Sequence, residues 1–201
     1  MLEEYKTIKS NSESYFKEKA SKFYSFAFPV QSEVEVKERM KELKSLYKDA
    51  GHHCYAFKLG FNGEKYRYSD DGEPNNSAGK PIYGQLNSFE ITNVLVVVIR
   101  YFGGTKLGVG GLIQAYKEGA KTALDNAKII TKEVTQQISI HFKYEDMNVM
   151  MSLVKTLDLT IISQQFELEC LITLEFPIKK SARLIQKLEN YPQLEIITKT
   201  A

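Results

Sequence analysis

The sequence feature that most constrains the fold is a continuous apolar run followed by a segment rich in glycine. Val94 to Ile99 are six apolar, mostly β-branched residues, which predicts a strand buried on both faces. Five glycines follow within residues 100–111, the glycine segment, and apolar or small residues then recur every three or four positions, which predicts a helix. Because a helix N-terminus presents backbone N–H groups and a positive dipole end, the glycine segment predicts anion binding.

The predicted anion-binding residues combine cations, one aromatic residue and the glycines: Arg100, Tyr101, Gly103, Gly104, Lys106, Gly108, Gly110, Gly111 and Lys80. The spacing matches neither nucleotide motif, since Val109 stands where a P-loop has lysine and Ile113 stands where the dinucleotide fingerprint has its third glycine. Two alternatives stay open. The glycines could serve only backbone turns and close packing, and the aromatic residues could stack on bases or pack into the core.

The amino-acid composition restricts the classes of protein to which this chain can belong. Hydrophobic residues make up 43% of the 201 residues, enough for a core, and the net charge of +2 does not by itself predict a polyanionic partner. Cys54 and Cys170 lie in apolar alternating stretches, so both are predicted to be reduced core residues. Since no apolar run approaches the ~20 residues of a membrane span, we expect a cytoplasmic protein with no membrane partner.

The order of predicted elements indicates an α+β protein with two domains, 1–130 and 135–201. In the first, strands cover residues 5–28, a Ser32/Glu35 capping box opens a helix, and Ser77 is predicted to cap a further helix from near Ala78 to Leu86. In the second, alternating and helical spacing follow each other as β-α-β-β-α-β, the ferredoxin-like order.

Two segments resemble the signature of the IMPACT/YigZ family: YSDDGEPNNSAGKPI, from Tyr68 to Ile82, and VLVVVIRYFGGTKLGVGGLIQAY, from Val94 to Tyr116. DAGHHCYAF and SKFYSFAFPV are similar to the same family. The resemblance covers residues 1–130, and the remainder resembles the smaller C-terminal domain of the bacterial members. Asn75 and Asn76 replace residues that are commonly Ser and Gly in the family, and Gln114 replaces one that is often basic.

The resemblance implies a fold and a field of activity. The first domain would adopt the fold named after the second domain of a small-subunit ribosomal protein. The two domains together would be similar to the last two domains of elongation factor G, which act on the ribosome. Eukaryotic relatives regulate the amino-acid-starvation kinase pathway and so translation initiation, and nucleic-acid binding is the usual suggestion for bacterial members.

Candidate catalytic residues cluster in the polar stretch Ser69–Pro81, the acidic loop. Asp70, Asp71 and Glu73 could act as acid and base or hold Mg²⁺, and His53 could bind a metal together with Asp70 or Glu73. The alternative is that these carboxylates cap backbone groups and pair with Arg100 or Lys106. His52 and His53 are adjacent and point to opposite faces of a strand, so one of them at most faces such a site. No metal site and no cofactor are predicted.

Three functional hypotheses follow. The first is a translation-associated regulatory protein without catalytic chemistry, which binds RNA or the ribosome through the glycine segment, and which has a translation-regulatory protein as a further possible partner. The second is an enzyme that acts on a phosphorylated or peptide-like small molecule with the acidic loop. The third is a protein–protein interaction module that holds its partner on the sheet or sheet edge of the second domain.

Overall fold

The computed structural model describes residues 2–200, and their side chains as far as residue 197. The chain divides into two compact units, Glu4–Lys132 and the chain from Glu133 onward with the first residues of the sequence. The first unit contains β1 (Glu4–Ile8), β2 (Ser12–Glu18), β3 (Ser21–Pro29), α1 (Glu33–Leu46), β4 (His52–Leu59), β5 (Lys65–Ser69), α2 (Gly79–Ser88), β6 (Val94–Tyr101), α3 (Gly108–Asp125) and β7 (Ile129–Glu133).

A five-stranded sheet in the order β2-β3-β6-β4-β5 forms the centre of the first unit. β6 lies in the middle, antiparallel to β3 and β4. Val94, Val96 and Val98 pack toward α2 and α3 in one cluster. Leu95, Val97 and Ile99 pack toward α1 in another, so the predicted strand is indeed buried on both faces. β1 and β7 form a separate two-stranded sheet.

Two helix starts were tested by the structure. Ser32 accepts a hydrogen bond from the Glu35 backbone N–H, which confirms the predicted cap of α1. The prediction for Ser77 was wrong, because its hydroxyl donates to the Pro74 carbonyl instead. α2 begins at Gly79, and an aspartate nine residues earlier supplies the acceptor for its first N–H groups.

The second unit contains β8 (Thr135–Lys143), α4 (Met147–Leu157), β9 (Thr160–Phe166), β10 (Glu169–Pro177), α5 (Ser181–Leu188) and β11 (Glu195–Thr200). The predicted β-α-β-β-α-β order is present, and the strands form a sheet in the order β11-β8-β10-β9. Alternate residues of β8 and β10, such as Ile140 and Ile172, pack with α4 and α5 in a core of their own. Among the described residues, none of the helices is long and apolar enough to cross a membrane.

Candidate functional site

Arg100 lies in the interior, and the expectation that it faces an anion at the surface is corrected. Its side chain is 6% exposed, and Nη1 donates a hydrogen bond to Glu73 Oε1 at 2.8 Å. Nη2 donates to Ser21 Oγ at 3.2 Å, and the guanidinium packs against the rings of Phe23 and Phe102. A charge removed from water needs a counterion and hydrogen bonds, and Glu73 supplies both.

Glu73 is the acceptor at the centre of this buried network. Besides Arg100, the Tyr116 hydroxyl of α3 donates to Glu73 Oε1 at 2.7 Å. Burial is the main cause that raises the pKa of Tyr116, so its hydroxyl stays protonated and able to donate. The Cys54 thiol donates to the Asp70 carbonyl at 2.9 Å, and burial raises its pKa as well, so Cys54 is not a thiolate nucleophile.

Asp70 and Asp71 hold the acidic loop in place through hydrogen bonds to backbone N–H groups. Asp70 accepts N–H hydrogen bonds from Asn76, Ala78 and Gly79 at 2.8 to 3.0 Å, which caps the N-terminus of α2. Asp71 Oδ2 accepts the His53 backbone N–H at 2.7 Å. Both carboxylates therefore bind backbone N–H groups, Asp70 those of the acidic loop and α2 and Asp71 one of β4, as one of the two sequence interpretations expected. The described residues contain no group of three or more His, Cys, Asp or Glu arranged to hold a metal ion.

The two histidines occupy different environments. His52 Nδ1 lies 2.9 Å from the Asp71 carbonyl, which can only accept, so Nδ1 carries the proton. His52 Nε2 then lies 3.8 Å from Glu73 Oε1. His53, the candidate selected from the sequence, is buried, and its Nε2 has no hydrogen-bond partner among the described residues. His52 is thus the histidine next to Glu73, a choice that strand alternation alone could not make.

His53 makes the stability of the protein depend on pH. Burial lowers the pKa of this imidazole from 6.5, and the attraction of Asp71 only partly opposes that effect. The unfolded chain therefore binds more protons below pH 6.5. The stabilisation is complete above that pH and is lost as pH falls through the folded pKa. We expect His53→Gln to lose less stability than the wild type when the pH falls from ~7.5 to ~5.5, as measured by urea unfolding. An equal loss of stability in both proteins would contradict a role of His53 in the pH dependence.

The glycine segment is divided between a loop and a helix. Gly103 and Gly104 lie in the loop, whereas Gly108 to Gly111 form the first turn of α3, which has no side-chain cap. Gly104 and Gly108 have φ values of +86° and +71°, a backbone region that favours glycine. The uncapped first turn leaves backbone N–H donors without intrahelical acceptors.

The exposed cations near this turn differ from those expected. Lys106 is exposed immediately before α3. Lys19, which the sequence analysis missed because it comes from the β2–β3 turn, borders the same region. No ion pair among the described residues involves Lys106 or Lys19. Lys80 is exposed in the first turn of α2, and no described hydrogen bond or ion pair joins it to the glycine segment.

A groove of about 370 Å³ lies beside the first turns of α3. Lys19 and Gly111 line it with Gln114, but so do Glu18 and Glu118, so its charge is mixed. The two aromatic residues that precede the glycines, Tyr101 and Phe102, lie in different environments. Tyr101 packs edge-on against Tyr24 on the α1 side of the sheet, whereas Phe102 is 56% exposed next to the loop.

Comparison with known proteins places this site within a family. Residues 19–124 match the family model described as the Impact N-terminal domain, a range that includes the acidic loop and the glycine segment. The IMPACT family member YigZ of Escherichia coli (strain K12) is 29% identical over 175 residues, 86% of this chain and 86% of that protein. An IMPACT family member of Haemophilus influenzae is 31% identical, over 74% of this chain and 73% of its own.

A solved structure is similar along nearly the whole chain. It is described as the crystal structure of a hypothetical protein, with a TM-score of 0.79 and 25% sequence identity. The match covers 98% of each chain. The same mixed α and β architecture is therefore present in a relative of similar length.

Proposed function

Because the chain belongs to the IMPACT family, which confirms the resemblance seen in the sequence, we propose that it is a translation-associated regulatory protein of the cytoplasm. In this proposal it binds RNA or the ribosome through the glycine segment and the exposed cation beside it, and a translation-regulatory protein is a further partner. The observation that carries the proposal is Lys106 next to the uncapped first turn of α3.

The chemistry of that turn suits a phosphate group. Free backbone N–H donors, the positive end of the helix dipole and a lysine ammonium all favour an anion, and none of them distinguishes one base from another. The family resemblance implies that eukaryotic members regulate translation initiation. Phosphate contact without base readout is compatible with a structured RNA or a ribosomal surface.

Three further residues would shape the contact. Phe102 is exposed beside the loop and offers an aromatic face for stacking on an unpaired base. Glu18 and Glu118 repel phosphate from the groove along α3. The backbone of a bound RNA would therefore pass Lys106 and Phe102 and stay outside that groove.

The proposal extends to the finer fold relationships. We propose that the first unit has the fold named after the second domain of a small-subunit ribosomal protein, and that the two units correspond to the last two domains of elongation factor G. The central five-stranded sheet and the β-α-β-β-α-β order of the second unit support this relation.

The other two hypotheses have less support. Asp70 and Asp71 are occupied by backbone N–H groups, so an enzyme would have to use Glu73 and His52, which are 3.8 Å apart, as its acid–base pair. Arg100 and Tyr116 already bind the same carboxylate oxygen. Catalysis by the acidic loop and a protein–protein role for the second unit both stay predictions.

Replacing Lys106 by alanine tests the proposed contact. In co-sedimentation with ribosomes and with protein-free ribosomal RNA, we expect wild-type binding to fall steeply from low to ~0.3 M salt. Lys106→Ala should weaken binding and reduce the slope of log affinity against log salt by about one.

Lys117→Ala is the matched control, since it removes the same charge from an exposed position on α3, roughly 14 Å of helix beyond Gly108. It should leave both affinity and slope near those of the wild type. Equal effects of the two substitutions, or no sedimentation under any condition, would argue against the site.

A further inference from the structure

Three tyrosines form a partly exposed aromatic cluster where β5 meets α2. The rings of Tyr66 and Tyr83 are stacked, with centroids 4.8 Å apart and planes inclined by 23°. The ring of Tyr68 lies 5.8 Å from that of Tyr83, with planes inclined by 32°. Tyr66 is 56% exposed and Tyr68 is 37% exposed. Aromatic rings that remain accessible in this way can stack on a further planar group.

The fold places two cations on the same side of the sheet as this cluster. Lys58 is opposite Tyr66 in the pairing of β4 with β5, so their side chains lie on one face. The Lys58 ammonium donates to Asn87 Oδ1 of α2 at 3.2 Å, which identifies that face as the α2 side. Lys80 lies three residues before Tyr83 and seven before Asn87, so it shares their side of α2. The two cations are therefore separated by roughly 10 Å of helix.

The charge of these elements has one sign. β4, β5 and α2 contain no Asp or Glu but four cations, which are Lys58, Lys65, Arg67 and Lys80. Glu64 and Asp70, on either side of β5, accept backbone N–H groups of their own loops. Among the described residues neither Lys58 nor Lys80 takes part in an ion pair. The surface is therefore complementary to an anionic ligand.

We propose that the tyrosine face, formed by Tyr66, Tyr68 and Tyr83 with Lys58 and Lys80, binds a segment of single-stranded RNA. Bases stack on the exposed rings, and phosphates contact the two ammonium groups. A single strand suits this face because only unpaired bases offer their planes to aromatic side chains. The ligand class is that of the function proposed above, but the residues differ from those of the glycine segment, so either contact can fail without the other.

A tryptophan reporter tests the stacking directly. The chain contains no tryptophan, so Tyr66→Trp adds a single indole and keeps a ring that stacks. Its emission should be quenched by an unstructured oligouridylate of ~12 nucleotides, a length within the usual site sizes for single strands. Tyr144→Trp is the matched control, because Tyr144 is 62% exposed in the second unit, and its emission should not change. An oligoglutamate of the same length should quench neither, since it carries charge without bases.

Affinity for the labelled oligouridylate, measured by fluorescence anisotropy, tests the individual side chains. Every chain in this series also carries Lys106→Ala, which removes the contact proposed for the glycine segment. Tyr66→Ala should weaken binding about tenfold, whereas Tyr66→Phe keeps the ring and should bind like the parent chain. Lys80→Ala should reduce the slope of log affinity against log salt by about 0.7, the value of one phosphate on a single strand. Tyr66 and Lys80 are exposed, and urea unfolding verifies that each variant is folded.

The quenching of Tyr66→Trp should persist when Lys106→Ala is added, whatever that substitution does to ribosome sedimentation. Quenching that disappears with Lys106→Ala would assign the oligonucleotide to the glycine segment and overturn the proposal. Quenching by oligoglutamate would overturn it in favour of an acidic protein segment. An unquenched Tyr66→Trp, equal quenching of Tyr144→Trp, or Tyr66→Ala with the affinity of its parent chain would also overturn it.

Discussion

Replacing Glu73 by glutamine should destabilise the protein by about 3 to 5 kcal/mol in urea unfolding, because it leaves the Arg100 charge buried without its counterion. The side chains of Glu73 and Arg100 are only 4% and 6% exposed, so water cannot substitute for the lost carboxylate. Tyr116 loses the same charged acceptor, since its hydroxyl donates to Glu73 Oε1. Arg100→Met should also destabilise the protein, because it leaves the Glu73 carboxylate buried without its counterion.

The double variant Glu73→Leu/Arg100→Met separates the charge pair from packing. It removes both buried charges, so neither is left without a partner. It also removes Arg100 Nε, which lacks a hydrogen-bond partner within the described residues. We therefore expect the double variant to recover most of the stability lost in either single variant. Additive losses in the double variant would contradict this account. The folded fraction of Arg100→Met should bind ribosomes with the wild-type salt slope, whereas a slope reduced by about one would return Arg100 to the phosphate contacts.

Replacing Gly103 by alanine should have the second largest effect. A Cβ at this position would overlap the carbonyl group of Ala20 and the backbone nitrogen of Ser21. These atoms cannot move aside easily, because Lys19 and Ala20 already have positive φ values of 44° and 65° in the β2–β3 turn. We expect a loss of about 3 kcal/mol, at the upper end for overpacking, and displacement of the loop before α3.

Gly84→Ala is the matched control for this substitution. Gly84 lies inside α2, and a Cβ there would have no neighbour within 4 Å. Alanine is the better helix former, so Gly84→Ala should raise stability by up to about 1 kcal/mol. A Gly103→Ala variant as stable as the wild type would show that the β2–β3 turn and the glycine segment do not pack as closely as the structure indicates. The same variant should also lose ribosome binding if the loop positions Lys106.

Features that depend on residues close together in the sequence were predictable. β6 was evident from six consecutive apolar residues, because only a strand covered on both faces tolerates such a run. The cap of α1 was evident from Ser32 and Glu35, three residues apart, because capping is a contact within one turn. The alternation of the second unit predicted its element order for the same reason.

Features that depend on distant residues required the tertiary structure. Arg100 precedes a glycine-rich loop, which suggested an exposed cation, but Glu73 from another element draws it into the interior. Asp70 caps α2 although it lies nine residues before the helix. Ser77 was predicted as the cap because it lies next to the helix start, but it donates to the Pro74 carbonyl instead. Lys19 reaches the α3 region from a turn that is far away in the sequence.

The sequence by itself therefore determined most of the strands and helices and the family that the chain resembles, although β7 was not predicted. Both follow from local periodicity and from contiguous motifs. Only the tertiary structure decided which charged groups in those motifs reach solvent. A side chain's charge gives no indication of its exposure until the counterion is located, and for Arg100 that counterion is 27 residues away in the chain.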